Sequence, residues 1–151
     1  MGFKIPHGQT LTIKGPRQFG KSSMLSRTLQ AAEQANKKVV HLNFQELDQE
    51  NRADAHKFFR HFCSWIADEL QIDHQIIGSQ LGLVWGSGRT DIQCCTHYVE
   101  RHILKLFNKS IVLAMDEVDS ILECPFHIDF FPCYECGMIS ALQTQYGVYL
   151  I

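Results

Sequence analysis

A segment near the start of the chain combines glycines, a lysine and a serine at a spacing suited to phosphate binding. It runs from Gly15 to Ser22 and reads Gly-Pro-Arg-Gln-Phe-Gly-Lys-Ser, which fits the pattern G-x-x-x-x-G-K-[ST] at every position. Glycines let backbone N–H groups turn toward phosphate oxygens, and a following helix adds the positive end of its dipole. The pattern predicts a Walker A loop, in which Lys21 reaches the β- and γ-phosphates and Ser22 binds Mg²⁺.

The predicted nucleotide-binding residues are this loop and the residue that follows it. They are Gly15, Pro16, Arg17, Gln18, Phe19, Gly20, Lys21, Ser22 and Ser23. The middle of such a loop tolerates many residue types, so Arg17 and Gln18 are assigned from their position rather than from their chemistry. The alternative is a chance match in a turn, which the strand pattern before the loop and the helix pattern after it disfavour.

Two carboxylates follow an uninterrupted apolar run later in the chain. Ile111–Met115 has the length of a buried strand, and Asp116 and Glu117 come directly after it. Ligands of parallel α/β sheets bind at the carboxyl ends of the strands, so this Walker B pattern predicts that Asp116 supports Mg²⁺ beside the phosphate loop. Glu117 is the predicted general base that polarises the attacking water, which makes Glu117 and Lys21 the candidate catalytic residues. The alternative is a charged turn after a buried strand.

Alternating strands and helices must position these residues. The patterns predict strands over Leu11–Lys14, Val39–Phe44 and Ile111–Met115, helices over 21–36, 53–70 and 90–107, and a loop over 78–88, which contains four glycines. Such alternation predicts an α/β fold, here three α-β-α layers around a mostly parallel sheet. The strand Val39–Phe44 lies between the other two in sequence. Together with Glu117, it favours an ATPase with an extra central strand over a kinase or a GTPase.

Each predicted helix has an apolar face at helical spacing. The expected inward residues are Met24, Leu25, Thr28, Leu29 and Ala32 in the first helix; Phe58, Phe59, Phe62, Cys63, Ile66 and Leu70 in the second; and Cys95, Tyr98, Val99, His102, Ile103 and Leu106 in the third. Thr90 or Asp91 is the expected cap of the third helix.

Length and charge exclude several classes of protein. The 151 residues predict one domain over 1–151, and a net charge of −2 disfavours a nucleic-acid partner, which would need a basic excess. No apolar stretch has the length of a membrane span, and the start lacks a signal-peptide pattern. Six cysteines without that signal predict reduced thiols and a cytoplasmic location.

The cysteines and histidines near the end of the chain allow one metal hypothesis. Cys124, His127, Cys133 and Cys136 have ligand-like spacings, but the two pairs are only five residues apart in sequence. Structural zinc normally takes two well-separated ligand pairs, so unrelated thiols are the favoured interpretation.

Four segments together resemble one family, the bacterial AAA-like domain of P-loop ATPases. They are Leu11–Leu25, Val40–Asp48, Phe58–Cys63 and Leu113–Asp119, and the resemblance covers about residues 8–131. The family is similar to signal-transduction and origin-initiator ATPases, and its members are commonly modules of larger regulatory proteins. The resemblance implies ATP and Mg²⁺ as ligands, a nucleotide-controlled switch, and a protein partner, a fused effector domain or a homo-oligomer.

The end of the chain departs from that family pattern. After Phe131 neither the basic helix nor the sensor strand of the family follows, so 132–151 is expected to be an atypical tail of a truncated or frame-altered product. All 14 Lys and Arg residues precede residue 110, which leaves no arginine finger there. Three functions therefore stay open: an ATPase switch, a nucleotide-binding module without turnover, and a DNA-associated initiator, which the charge disfavours.

Overall fold

A computed structural model of the protein describes residues 20–107 and 110–132. The elements are α1 (Lys21–Gln34), β1 (Lys38–Asn43), α2 (Gln49–Ala53), α3 (Ala55–Glu69), α4 (His74–Trp85), α5 (Asp91–Tyr98), β2 (Ile111–Asp116) and α6 (His127–Pro132). Helix α5 continues as a π-helix over Val99–Leu104, and 3-10 turns cover Phe44–Glu46 and Val118–Glu123. The predicted strand Leu11–Lys14 lies outside the described residues. None of the described helices is long and apolar enough to cross a membrane.

The two described strands form a parallel sheet. Their register pairs Lys38 with Ile111 at one end and Asn43 with Asp116 at the other. Residues Ile111–Met115 of β2 are all buried, as a parallel strand covered on both faces requires. The predicted parallel pairing is confirmed, and both strand predictions agree with the structure to within one residue at each end.

Helices cover both faces of this sheet. On one face, Ala32 of α1 packs with Val39 and Val112. On the other face, Val40 and Leu42 belong to the main core, which also contains the apolar side of α3. Because successive strand residues point to opposite faces, α1 and α3 lie on opposite sides of the sheet. The predicted α/β class is confirmed for the described part of the chain.

An aromatic cluster fills the core between α3 and the segment after β2. Phe58 stacks on Phe126 with a 4.2 Å centroid distance, and Phe44 and Phe62 lie 5.9 Å and 5.7 Å from Phe130. The predicted inward face is confirmed: Phe58, Phe59, Phe62, Cys63, Ile66 and Leu70 are all buried. The helix begins at Ala55 rather than at residue 53, because the Asp54 side chain accepts the Lys57 N–H and caps it.

The predicted loop over 78–88 is wrong, because α4 occupies most of it. The Asp73 side chain caps this helix by accepting the Gln75 N–H at 2.8 Å, and Ile77, Leu81 and Val84 face the core. A helical glycine costs about 1 kcal/mol relative to alanine. Burial of three large side chains at helical spacing outweighs that cost for the two glycines within the helix.

Two predicted inward residues are exposed instead. Met24 is 45% exposed, since the buried stripe of α1 is narrower than predicted and consists of Leu25, Thr28 and Ala32. Leu106 is 57% exposed and lies beyond the π-helical segment, whose wider turns shift the inward face. The predicted Thr90 cap is confirmed, and Gln93 completes a capping box with it.

Candidate functional site

The carboxyl ends of β1 and β2 meet at one edge of the sheet. Asn43 and Asp116 are partners in the parallel register and are both half-buried. The Asn43 side chain accepts the Gln45 N–H at 3.1 Å, and Asp116 Oδ1 accepts the Glu117 N–H at 2.9 Å. In each case a backbone N–H of the turn after the strand donates to the polar side chain and holds it at this edge of the sheet.

Glu117 has an uncommon backbone conformation. Its φ of 56° lies in the left-handed region, which few residues other than glycine, asparagine and aspartate adopt. The chain then turns into the 3-10 segment Val118–Glu123, where the Ser120 N–H donates to the Glu117 carbonyl at 3.1 Å. The turn leaves Glu117 half-buried directly beside Asp116. Such conformations occur at functional sites when surrounding contacts hold them.

The first turn of α1 presents backbone donors without a side-chain cap from the described residues. Gly20 precedes it with a φ of 74°, and the first helical hydrogen bond runs from the Met24 N–H to the Gly20 carbonyl at 3.0 Å. The amides of residues 21–23 precede that bond, so helix geometry leaves them for another acceptor. Four other helices are capped by side chains, from Asp48, Asp54, Asp73 and Thr90.

The direction of α1 takes this first turn toward the same edge as Asp116. Only residues 35–37 separate α1 from β1, and α1 packs against both strands. The 14-residue helix is about 21 Å long and the six-residue strand β1 about 20 Å, so β1 runs back along nearly the whole length of α1. The amino end of α1 therefore lies at the carboxyl edge of the sheet.

The predicted nucleotide-binding residues are described only in part. Gly15, Pro16, Arg17, Gln18 and Phe19 lie outside the described residues. Gly20 precedes α1, while the backbones of Lys21 and Ser22 begin this helix and Ser23 is exposed.

The predicted magnesium ligand Asp116 is held by the backbone of its own turn. Oδ1 accepts the Glu117 N–H at 2.9 Å, and Oδ2 takes no part in that bond. Within those ranges, no group of three or more His, Cys, Asp and Glu side chains is arranged to hold a metal. Mg²⁺ commonly takes only one or two protein ligands and completes its shell with water and phosphate, so Asp116 fits that chemistry.

Of the four residues in the zinc hypothesis, the structure describes Cys124 and His127, and both make other contacts. The Cys124 thiol contacts the Ser120 carbonyl at 3.8 Å, and His127 Nδ1 lies 2.7 Å from the Cys124 carbonyl. Burial raises the pKa of the Cys124 thiol, which disfavours the thiolate that zinc requires. Cys133 and Cys136 lie outside the described residues.

Two residues of this edge were missed by the sequence interpretation. Asn43 is the last but one residue of the predicted strand Val39–Phe44, and it ends the observed strand β1 as Asp116 ends β2, so the rule about strand ends applies to it once the strand bounds are known. Arg52 in α2 has no sequence signal of this kind, although its guanidinium bonds to carbonyls in the turns after both strands. Only the folded arrangement reveals that contact.

Comparison with known proteins agrees with the strand and helix arrangement. The family model described as AAA-like domain matches residues 4–136, which include both the predicted Walker A loop and the Asp116 edge. Neither the curated proteins nor the solved structures gave a match. The family match covers most of the sequence, and the chain belongs to the AAA-like domain family.

Proposed function

We propose that the chain binds ATP–Mg²⁺ at the carboxyl edge of a three-layer P-loop NTPase sheet and acts as a nucleotide-controlled switch. The observation that carries the proposal is the convergence of two features at this edge, the first turn of α1 and Asp116. Membership of the AAA-like family supports a nucleotide-binding domain of the ATPase type.

On the phosphate side, residues Gly15–Ser23 bind the triphosphate. The N–H groups at the start of α1 and the helix dipole attract phosphate oxygens, and Lys21 neutralises charge on the β- and γ-phosphates. Gly20 suits this role because its φ of 74° is a left-handed backbone conformation that residues with a Cβ rarely adopt.

On the metal side, Ser22 and Asp116 would hold Mg²⁺, and Glu117 would accept a proton from the attacking water. The ion would supply positive charge against the charge that develops on the phosphate oxygens. The left-handed turn at Glu117 sets the direction of the backbone immediately after the metal ligand.

Substitution of the loop lysine tests this proposal. Lys21→Ala should abolish ATP–Mg²⁺ binding in a calorimetric titration, because it removes the cation that contacts two phosphates. Arg27→Ala is the matched control, since Arg27 is an exposed cation on the same helix. Equal ATP affinity in Lys21→Ala and the parent would overturn the proposal.

A second function, nucleotide binding without turnover, is favoured by the charge distribution. No Lys or Arg follows Lys109 in the sequence, whereas phosphoryl transfer to water often uses an arginine finger worth roughly 10³–10⁵ in rate. In the switch proposal that arginine comes from a second copy, a partner protein or a fused effector domain. Binding without hydrolysis at any protein concentration would select the second function.

A further inference from the structure

We propose that Arg52 is a positioning residue for the nucleotide site, a role that rests on the proposed function. Its guanidinium connects the turn after β1 to the turn after β2, and so holds the backbone on which Asp116 and Glu117 lie. Arg52 belongs to the short helix α2, which carries none of the predicted site residues.

Three hydrogen bonds from one side chain make this connection. Nε donates to the Leu47 carbonyl at 3.0 Å and Nη2 to the Phe44 carbonyl at 2.6 Å, both in the segment after β1. Nη1 donates to the Ser120 carbonyl at 3.2 Å, in the 3-10 turn after β2. The Arg52–Ser120 bond joins positions 68 residues apart in sequence.

The chemistry of the guanidinium suits this position. Arginine carries five N–H donors in a fixed planar fork, whereas lysine has a single ammonium group on a flexible stem. Arg52 is half-buried, and its bonds are charge-assisted, which makes them stronger than bonds between neutral groups. A lysine at this position keeps the charge but does not reach three separate carbonyls with fixed geometry.

The turn that Arg52 anchors is the one that needs support. The Ser120 N–H bonds to the Glu117 carbonyl, and Glu117 has the left-handed φ. A non-glycine residue keeps that conformation only while its surroundings hold it. Loss of the Arg52–Ser120 bond therefore frees residues 117–120 and, through them, the direction of the Asp116 and Glu117 side chains.

The test compares Arg52→Ala and Arg52→Lys with the parent and with Arg60→Ala, an exposed arginine on α3. Amide hydrogen exchange over residues 118–123 is measured without nucleotide, and ATP affinity is titrated with and without Mg²⁺. The amide hydrogens of this segment should exchange faster in both Arg52 variants than in the parent. Partners that orient metal ligands typically contribute about 10–100-fold to metal affinity. The factor by which Mg²⁺ strengthens ATP binding should therefore be at least about 10-fold smaller in Arg52→Ala than in the parent. Binding without Mg²⁺ should stay within about 2-fold, since the phosphate loop is unchanged.

Each outcome separates this inference from the function on which it rests. A parent that fails to bind ATP–Mg²⁺ overturns the proposed function and the site role of Arg52 together. A parent that binds, with the same Mg²⁺ dependence in both Arg52 variants, overturns the positioning role alone. If Arg52→Ala fails to fold, Arg52→Lys decides, and parent-like exchange and Mg²⁺ dependence in that variant overturn the role.

Discussion

Glu117 combines a carboxylate with a left-handed backbone at the end of a buried strand. Asp116 precedes it with one oxygen bonded to the Glu117 amide, so the two side chains leave the same turn with different constraints. The roles proposed for them are metal support by Asp116 and water activation by Glu117.

Replacing Glu117 by glutamine should separate binding from turnover. Glu117→Gln removes the base but keeps the size of the side chain, so ATP affinity should change little. Hydrolysis should fall by about 10²–10⁴-fold, the range that general-base catalysis contributes. Single-turnover ATP hydrolysis, measured beside calorimetric binding, checks both statements.

Asp119→Asn is the matched control for that experiment. Asp119 is an exposed carboxylate two residues further along the same turn, and its substitution should leave hydrolysis at the parent rate. If Glu117→Gln hydrolyses ATP as fast as the parent, Glu117 is not the general base.

Sequence patterns predict the candidate residues of the site but not the contacts that support them. Asp116 is predicted because an apolar strand followed by a carboxylate is a local pattern. Arg52 is not, because its role depends on a carbonyl at Ser120 that only the folded chain brings near. The left-handed φ of Glu117 is also unpredicted, since glutamate has no local preference for it.

Among the elements, α3 and α4 show why one helix was predicted and the other missed. In α3 the aromatic stripe recurs at helical spacing without glycine. In α4 the capping residue Asp73 and the spacing of Ile77 and Leu81 favour a helix, whereas the glycines of residues 78–88 favour a loop, which is the prediction that proves wrong. Tertiary burial decides against local propensity here.

The glycines of α4 give a prediction about stability. Gly78 and Gly82 are helical, and an added Cβ would meet nothing within 4 Å at either position. Gly78→Ala and Gly82→Ala should each raise the free energy of unfolding by roughly 0.5–1 kcal/mol, because alanine is the better helix former. Urea denaturation measures the change.

Gly88→Ala is the contrasting variant. Gly88 has a φ of 77°, a conformation that strains alanine even though an added Cβ has space, so this variant should be less stable than the parent. Destabilisation by Gly78→Ala and Gly82→Ala would contradict the helical assignment of α4.

The π-helical extension of α5 carries a histidine whose titration should affect stability. Burial lowers the pKa of His102 below its ordinary value of 6.5, and the nearby His97 lowers it further. The unfolded state then binds protons more readily than the folded state. The stability that His102 contributes is therefore present above about pH 6.5 and is lost as pH falls through the folded-state pKa. His102→Asn should lose less stability than the parent between about pH 7.5 and pH 5.

Thermal unfolding at the two pH values checks this difference. His61→Asn is the control for the substitution itself, because His61 is exposed on α3. An equal loss of stability in His102→Asn and the parent would show that His102 does not contribute to the pH dependence.

At the scale of the whole molecule, charge is divided unevenly along the chain. The basic residues all precede residue 110, and the acids from Asp116 to Glu135 follow without a compensating cation in sequence. If an arginine from a second copy completes the site, the ATPase rate per chain should rise with protein concentration. Steady-state assays over about a 100-fold range of concentration measure this rate. Mixing the parent with increasing proportions of an inactive Glu117→Gln chain tests whether the arginine of one copy acts at the site of another. A rate per chain that is independent of concentration would contradict a second copy as its source.

The most direct test of the account is a calorimetric titration of the chain with ATP, with and without Mg²⁺, beside Asp116→Asn. The parent should bind ATP, and Mg²⁺ should strengthen that binding. In Asp116→Asn, ATP should still bind without Mg²⁺, while the strengthening by Mg²⁺ should fall by about 10-fold or more, because the substitution removes the metal-supporting charge but leaves the phosphate loop. Absence of ATP binding by the parent, or the same Mg²⁺ effect in both proteins, would contradict a nucleotide–magnesium site at the carboxyl edge of this sheet.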